Sequence, residues 1–152
     1  MTASICHLPA GLAQDLEQYA LDVDRFRKGD LSASILKSRR VPRGIYEQRR
    51  NGTYMVRVRV PGGAISAAQV RALAEVASRY ETGTLHATTR QDFQIHDVAL
   101  EQKPALLRDL LRAGLTSKGG GGNTVRNVTA CPYAGICPAE RFDVTPFATA
   151  VT

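Results

Sequence analysis

The sequence of 152 residues predicts an α+β fold in which helices cover one face of a small sheet. Three observations predict it: apolar residues at helical spacing in three segments, alternation of valine and arginine at the C-terminal end of residues 53–60, and the order strand, helix, strand, strand, helix. Hydrophobic residues make up 43% and charged residues 22% of the chain. These fractions are ordinary for a globular protein and exclude disordered and collagen-like classes.

The first predicted element is a helix over residues 8–28, which ends at Gly29. One of its faces carries apolar residues at spacings of three and four: Leu12, Leu16, Tyr19, Val23 and Phe26. Residues 37–50 are rich in arginine and lysine and contain Pro42 and Gly44. We therefore expect an exposed, solvated connection there rather than a long helix.

The next element is a strand over 53–60. Its valines point to one face, whereas Arg57 and Arg59 point to the other. Ser66 and Gln69 form a capping box that begins a helix reaching about Tyr80.

Two short strands, 84–88 and 92–98, flank Thr89-Arg90-Gln91, and a second amphipathic helix follows and ends at Gly114. Its apolar face consists of four leucines: Leu106, Leu107, Leu110 and Leu111. The resulting order is typical of a ferredoxin-like arrangement.

The character of the chain changes after residue 117, so we divide it into three segments: 1–50, 51–117 and 118–152. The last segment opens with four glycines, Gly119 to Gly122. Such a run either lets the backbone approach another group closely or forms a flexible link.

The charge of the chain indicates an anionic partner. The formal net charge is +6, and 16 of the 20 basic residues are arginine. Arginine suits forked recognition of carboxylates and oxyanions, so nucleic acid and an acidic small molecule both remain open. Three cysteines form no disulfide framework, and neither a secretory signal nor a membrane span is visible, so we expect a reducing, cytoplasmic location.

Polar residues converge on one predicted sheet face. Arg57 and Arg59 point to the same side of their strand. Arg90, Gln94 and His96 are separated by even numbers of residues along and just before the predicted strand 92–98, so their side chains can also face one side of the sheet. These groups either bind a ligand or are ordinary solvated side chains. Cys131 and Cys137 form a C-x5-C pair, but a metal site generally needs four ligands and Cys6 is the only other thiol, so we predict no metal site within the chain.

Four blocks occur in order along the chain: 44–49 (GIYEQR), 54–63 (YMVRVRVPGG), 86–96 (HATTRQDFQIH) and 122–128 (GNTVRNV). Together they resemble the N-terminal half of siroheme-dependent nitrite and sulfite reductases. The resemblance implies that residues 51–117 are the ferredoxin-like half-domain of that family. It also implies that residues 118–152 begin a second α+β domain, which binds siroheme.

The resemblance implies functional roles by position. Arg57 and Arg126 match the arginines that hold the anionic substrate over the siroheme iron. The residues implied to contact siroheme carboxylates are Arg90, Gln94 and His96, with Arg59 on the same surface and Asn123 and Asn127 as weaker candidates beside the Arg126 loop.

The implied reaction is the six-electron reduction of nitrite or sulfite, with electrons from a donor such as ferredoxin or a flavoprotein. The family's 4Fe-4S cluster is held by four cysteines in the C-terminal half, and one of those pairs is also C-x5-C. Because Cys131 and Cys137 follow the Arg126 block directly, we place the cluster outside this chain. The missing half would then lie in cis or in trans, and the chain alone would be inactive.

Two other functions remain open at this stage. One is a tetrapyrrole-binding relative such as a precorrin-modifying enzyme. The other is a basic ferredoxin-like RNA-binding module, which the sequence disfavours because aromatic residues total only 6% and the predicted sheet face offers none for stacking. We therefore expect neither nucleic acid nor membrane as a partner.

Overall fold

The computed structural model describes residues 8–80 and 84–151, and it confirms the α+β class. The helices are α1 (Leu12–Lys28), α2 (Ala33–Arg40), α3 (Ala67–Arg79), α4 (Lys103–Arg112) and α5 (Thr145–Ala150). The strands are β1 (Ile45–Glu47), β2 (Thr53–Val58), β3 (Leu85–Ala87) and β4 (Phe93–Ala99). The predicted order of strand, helix, strand, strand and helix corresponds to β2, α3, β3, β4 and α4.

The four strands form one antiparallel sheet in the order β1-β2-β4-β3. Arg57 of β2 lies opposite Gln94 of β4, and Gln94 lies opposite His86 of β3. The register between β2 and β4 shifts between Tyr54 and Val56. One row of the sheet therefore carries an arginine, a glutamine and a histidine on the same face.

The core lies on the opposite face of the sheet. Val56, Val58 and Ile95 are fully buried, and they share one apolar cluster with side chains of α1, α3 and α4, including Tyr19 and Leu106. The alternation over 53–60 is confirmed. Because the helices fill this side, the polar row faces away from the core.

The predicted capping box is present at the start of α3. The hydroxyl of Ser66 accepts from the backbone N–H of Gln69 at 3.2 Å, and Oε1 of Gln69 accepts from the N–H of Ser66 at 3.1 Å. Both amides lack helical partners, so these bonds fix where the helix begins.

The expectation of an exposed, solvated connection over residues 37–50 was wrong for most of the segment, although Lys37, Arg49 and Arg50 are exposed. The segment contains the end of α2, a 3-10 turn at Val41–Arg43 and β1, which joins the sheet. Arg40 is only 5% exposed and donates to the carbonyl of Ile45 and to Glu47, both at 3.0 Å. Two other arginines of the segment form ion pairs with α1: Arg39 with Asp22 and Arg43 with Asp15. These acids are too distant in sequence for a local charge pattern to reveal.

Other predictions concern residues or boundaries that the structure leaves open. Cys6 lies outside the described residues. The division of the chain at residues 50 and 117 stays a prediction. No helix within residues 8–80 and 84–151 has the length and apolar character needed to cross a bilayer.

Candidate anion-binding site

The sheet face away from the core brings several predicted site residues together. Arg57 and Gln94 are paired across β2 and β4, and His86 continues the row. His96 lies two residues along β4 from Gln94, with its ring 4.6 Å from that of His86. Nδ1 of His96 is 3.0 Å from Nε2 of Gln48. The structure thus places Arg57, Gln94 and His96 on one surface.

A loop formed by residues 117–128 lies against the β1–β2 side of this surface and carries Arg126. The carbonyl oxygen of Gly120 accepts hydrogen bonds from Nη1 of Arg57 and from Nη1 of Arg126, each at 3.4 Å. Nη1 of Arg59 donates to the carbonyl of Lys118 over the same distance. The guanidinium groups of Arg57 and Arg126 therefore converge, although 69 positions separate them in the sequence.

The four glycines of this loop serve close approach. A Cβ on Gly121 would lie 2.5 Å from the carbonyl oxygen of Val41 and would overlap the hydroxyl of Tyr46. That hydroxyl accepts from the N–H of Gly122 at 2.9 Å, and Gly119 donates to Pro42 at 2.8 Å. The sequence allowed either a close approach of the backbone or a flexible link at these glycines. The structure shows close approach, because the loop packs tightly against the sheet.

Asn127 ties the Arg126 loop to the turn that carries Arg90. Its side-chain nitrogen donates to the carbonyls of Arg90 and Val60 at 2.9 and 3.0 Å. The N–H of Gly62 donates to the carbonyl of Val128 at 2.8 Å. The side chain of Asn127 thus holds the backbone at Val60 and Arg90 in place. Asn123, the other predicted asparagine, is exposed and lines a depression on the α2 side with residues such as Lys37.

The charged groups of the site affect one another's pKa values. Burial lowers the pKa of Arg57, and the charges of Arg90 and Arg126 lower it further. The pKa of His96 is lowered by burial and by His86. Among the described residues, the Nε atoms of Arg57 and Arg59 and Nε2 of His96 are buried without a hydrogen-bond partner, as is the acceptor Oδ1 of Asn127. The unpartnered guanidinium donors are groups that an anion could satisfy.

Gln91 is a supporting residue that the sequence interpretation missed. Its amide nitrogen donates to the carbonyl of Ala130 at 2.7 Å, and its oxygen accepts from the N–H of Ala130 at 3.0 Å. This pair clamps the segment after Arg126 to the turn of Arg90. Its position in the block 86–96 was visible, but a side-chain contact spanning 39 residues has no local sequence signal.

Replacing Gln91 with alanine is expected to loosen this clamp. Two hydrogen bonds to Ala130 are lost, so the free energy of unfolding should fall by about 1–2 kcal/mol. Tryptic cleavage after Arg126 should accelerate, because the adjoining backbone is released. Denaturant unfolding and timed proteolysis measure both effects, with exposed Gln14→Ala as the matched control; unchanged cleavage at Arg126 would contradict the clamp.

A cavity of about 490 Å³ lies beside the turn that carries Arg90, with Gln91 and Asp92 in its wall, and its lining is mostly apolar. Its walls include Ile65, Phe93, Cys131 and Ala148. Cys131 is exposed, Cys137 is half-buried, and both thiols are free. In the part of the chain that the structure describes, no group of three or more His, Cys, Asp or Glu side chains could hold a metal ion.

Residues 46–113 match the family model described as the nitrite/sulfite reductase ferredoxin-like half domain. They belong to that family. The half domain contains β2, α3, β3, β4 and α4, and the match covers Arg57, Arg59, Arg90, Gln94 and His96. The resemblance of the chain to an N-terminal part of these reductases is thereby confirmed.

Individual relatives extend the similarity beyond the half domain. The chain is 40% identical over 107 residues to the chloroplastic ferredoxin–nitrite reductase of Arabidopsis thaliana, covering 68% of the chain and 18% of that relative. It is 36% identical over 143 residues to the corresponding enzyme of Betula pendula, covering 90% of the chain and 24% of that relative. The chain thus spans about a fifth of the length of these relatives.

A solved structure has the same arrangement. The NirA protein of Mycobacterium tuberculosis superposes with a TM-score of 0.73 at 26% sequence identity, covering 95% of this chain and 31% of that one. The half domain and its flanking segments therefore have counterparts within one longer protein.

Proposed function

We propose that this chain is part of a nitrite or sulfite reductase that carries out a six-electron reduction. Its contribution is an arginine surface for siroheme carboxylates and for the substrate anion. The observation that supports this most is the convergence of Arg57 and Arg126 on the carbonyl of Gly120, with Arg90 near enough to lower the pKa of Arg57.

The polar face fits siroheme, which carries eight carboxylates. The buried Nε groups of Arg57 and Arg59 and Nε2 of His96 are donors that lack acceptors in the part of the chain that the structure describes. Carboxylates satisfy such donors through strong charge-assisted hydrogen bonds. The residues that would hold the cofactor are Arg59, Arg90, Gln94 and His96, with Asn123 and Asn127 as weaker candidates. When bound, siroheme supplies the redox chemistry.

Arg57 and Arg126 would bind the substrate anion. A guanidinium stays charged at physiological pH and presents several N–H donors in one plane. Two such groups side by side attract nitrite or sulfite. They also stabilise negative charge that develops on oxygen atoms as N–O or S–O bonds break.

The rest of the reductase would lie outside this chain. Cys131 and Cys137 are too few for a four-thiolate cluster. The proposal places the 4Fe-4S ligands in a further segment or a second chain, in a cytoplasmic enzyme. Relatives are named ferredoxin–nitrite reductases, so ferredoxin is the first electron donor to test and a flavoprotein the second. The isolated chain should bind cofactor without reducing nitrite or sulfite.

A siroheme titration followed by absorbance tests the proposal. The chain should bind siroheme saturably at one equivalent, and Arg59→Gln or Arg90→Gln should weaken binding at least about tenfold. Arg71→Gln removes an equal charge from the exposed surface of α3 and should leave binding nearly unchanged. Absence of saturable binding, or equal loss in the Arg71 variant, would overturn the proposed function.

The alternative of a precorrin-modifying enzyme predicts a different preference. Such a relative would bind an iron-free, carboxylate-rich tetrapyrrole in place of siroheme. Titration with both compounds separates the two functions.

A further inference from the structure

Asp92 is a buried carboxylate beside the arginines of the site. It is 3% exposed and lies immediately before β4. Its Oδ1 accepts from the N–H of Val60 at 3.2 Å. Its own N–H donates to Oγ1 of Thr88 at 3.1 Å, and its carbonyl accepts from the N–H of Thr88 at 2.8 Å. Backbone contacts therefore fix this carboxylate independently of the arginine side chains.

Asp92 lies two residues after Arg90 and next to Phe93, which pairs with Val58 between Arg57 and Arg59, so its charge is close to the arginines of the site. Burial raises the pKa of Asp92, while the hydrogen bond from Val60 and the charges of Arg57, Arg59 and Arg90 oppose that rise. None of the ion pairs within 4.0 Å among the described residues involves Asp92. The carboxylate thus lowers the positive potential without occupying the donors that an anion would use.

We propose that Asp92 is a positioning residue that serves as an internal counter-charge for this anion site. It reduces repulsion among the arginines when the site is empty, and it opposes the carboxylates of an incoming anionic cofactor. The inference rests on the proposed function as far as siroheme is concerned. Under this proposal, Asp92 sets both the affinity of the site for an anion and the pH dependence of that affinity.

The asparagine variant isolates the charge. Asp92→Asn keeps an oxygen for the N–H of Val60 and removes the negative charge. At pH 7.5 it should bind siroheme about three- to tenfold more tightly than the natural chain. Asp24→Asn changes the net charge equally on the exposed surface of α1 and should leave the affinity within about twofold.

The pH profile provides a readout that a merely structural role would not change. Because burial raises the pKa of Asp92 above that of an ordinary aspartate, lowering the pH until this carboxylate is protonated should strengthen siroheme binding by the natural chain relative to the Asp92→Asn variant. The affinities of the two should converge at the acidic end. Parallel profiles, or an Asp92→Asn affinity equal to that of the natural chain, would overturn the inference.

Sulfate provides a test without cofactor. With no anion added, the melting temperature of Asp92→Asn serves as the baseline for that variant. Sulfate should raise its melting temperature more than that of the natural chain or of Asp24→Asn, at ionic strength matched with chloride. Equal sulfate responses would refute the role of Asp92 even if siroheme binding failed, so the two proposals fail separately.

Discussion

Replacing Lys103 with methionine is expected to stabilise the chain by about 2–4 kcal/mol at pH 7. Lys103 is fully buried at the first residue of α4, and its amine has no hydrogen-bond partner within residues 8–80 and 84–151. The amine lies 2.9 Å from the ring centroid of Tyr54, and the guanidinium of Arg40 lies 5.2 Å from the same ring. Methionine keeps an unbranched, packed side chain against this ring and removes the group that burial penalises.

The pH dependence of stability identifies the cause. Burial, with the nearby charge of Arg40, lowers the pKa of Lys103 to about 6 from an ordinary value of 10.5. Between these values the unfolded chain binds more protons than the folded chain, so stability rises with pH across the interval. The slope contributed by one such group is at most about 1.4 kcal/mol per pH unit. Lys103→Met should lack this slope, and its advantage should disappear near pH 10 to 11.

Denaturant unfolding at several pH values measures both effects. Lys37→Met, which alters an exposed lysine of α2, should change the free energy of unfolding by less than about 0.5 kcal/mol. If Lys103→Met is less stable than the natural chain at pH 7, the amine is charged and favourably held by Tyr54, and the explanation is wrong.

Sequence periodicity predicted those parts of the fold that depend on local residues. The alternation of Val56 and Val58 with Arg57 placed the core and the polar face on the correct sides of β2. The Ser66 capping box gave the start of α3 because both of its hydrogen bonds span three residues. Patterns of this kind are complete within one element.

The prediction for residues 37–50 failed because the interactions of its arginines are not local. Arg43 bonds to Asp15 and Arg39 to Asp22, across 28 and 17 residues, so the acids that balance the basic run lie on another helix. Charge patterning within a window cannot distinguish such paired arginines from solvated ones.

The candidate site depends both on local sequence patterns and on contacts between residues that are distant in sequence. The two-residue spacing of Gln94 and His96 along β4 predicted that their side chains share one face of the sheet, and in the structure they do. The approach of Arg126 to Arg57 followed only from family resemblance, because it depends on how the glycine loop folds back onto the sheet. The contributions of Gln91 and Asp92 required the coordinates, since both act through contacts or charges on other segments.

The glycine loop supplies the second large prediction: Gly121→Ala should destabilise the chain by about 2–3 kcal/mol. An added Cβ meets the carbonyl of Val41 at 2.5 Å and the hydroxyl of Tyr46, and a backbone carbonyl cannot rotate away as a flexible side chain can. The loop must therefore lift from the sheet. Since the loop carries Arg126 and the carbonyl of Gly120 that both guanidinium groups share, anion binding should weaken together with stability.

Gly52→Ala is the matched control for this substitution. Gly52 has a φ of +76° with nothing within 4 Å of an added Cβ, so alanine there should cost about 1 kcal/mol through backbone strain alone. Unfolding free energies and siroheme titrations on both variants separate steric displacement from glycine loss in general. If Gly121→Ala retained the natural stability and affinity, the loop would not be packed against Val41 and Tyr46, and Arg126 would not owe its position to that contact.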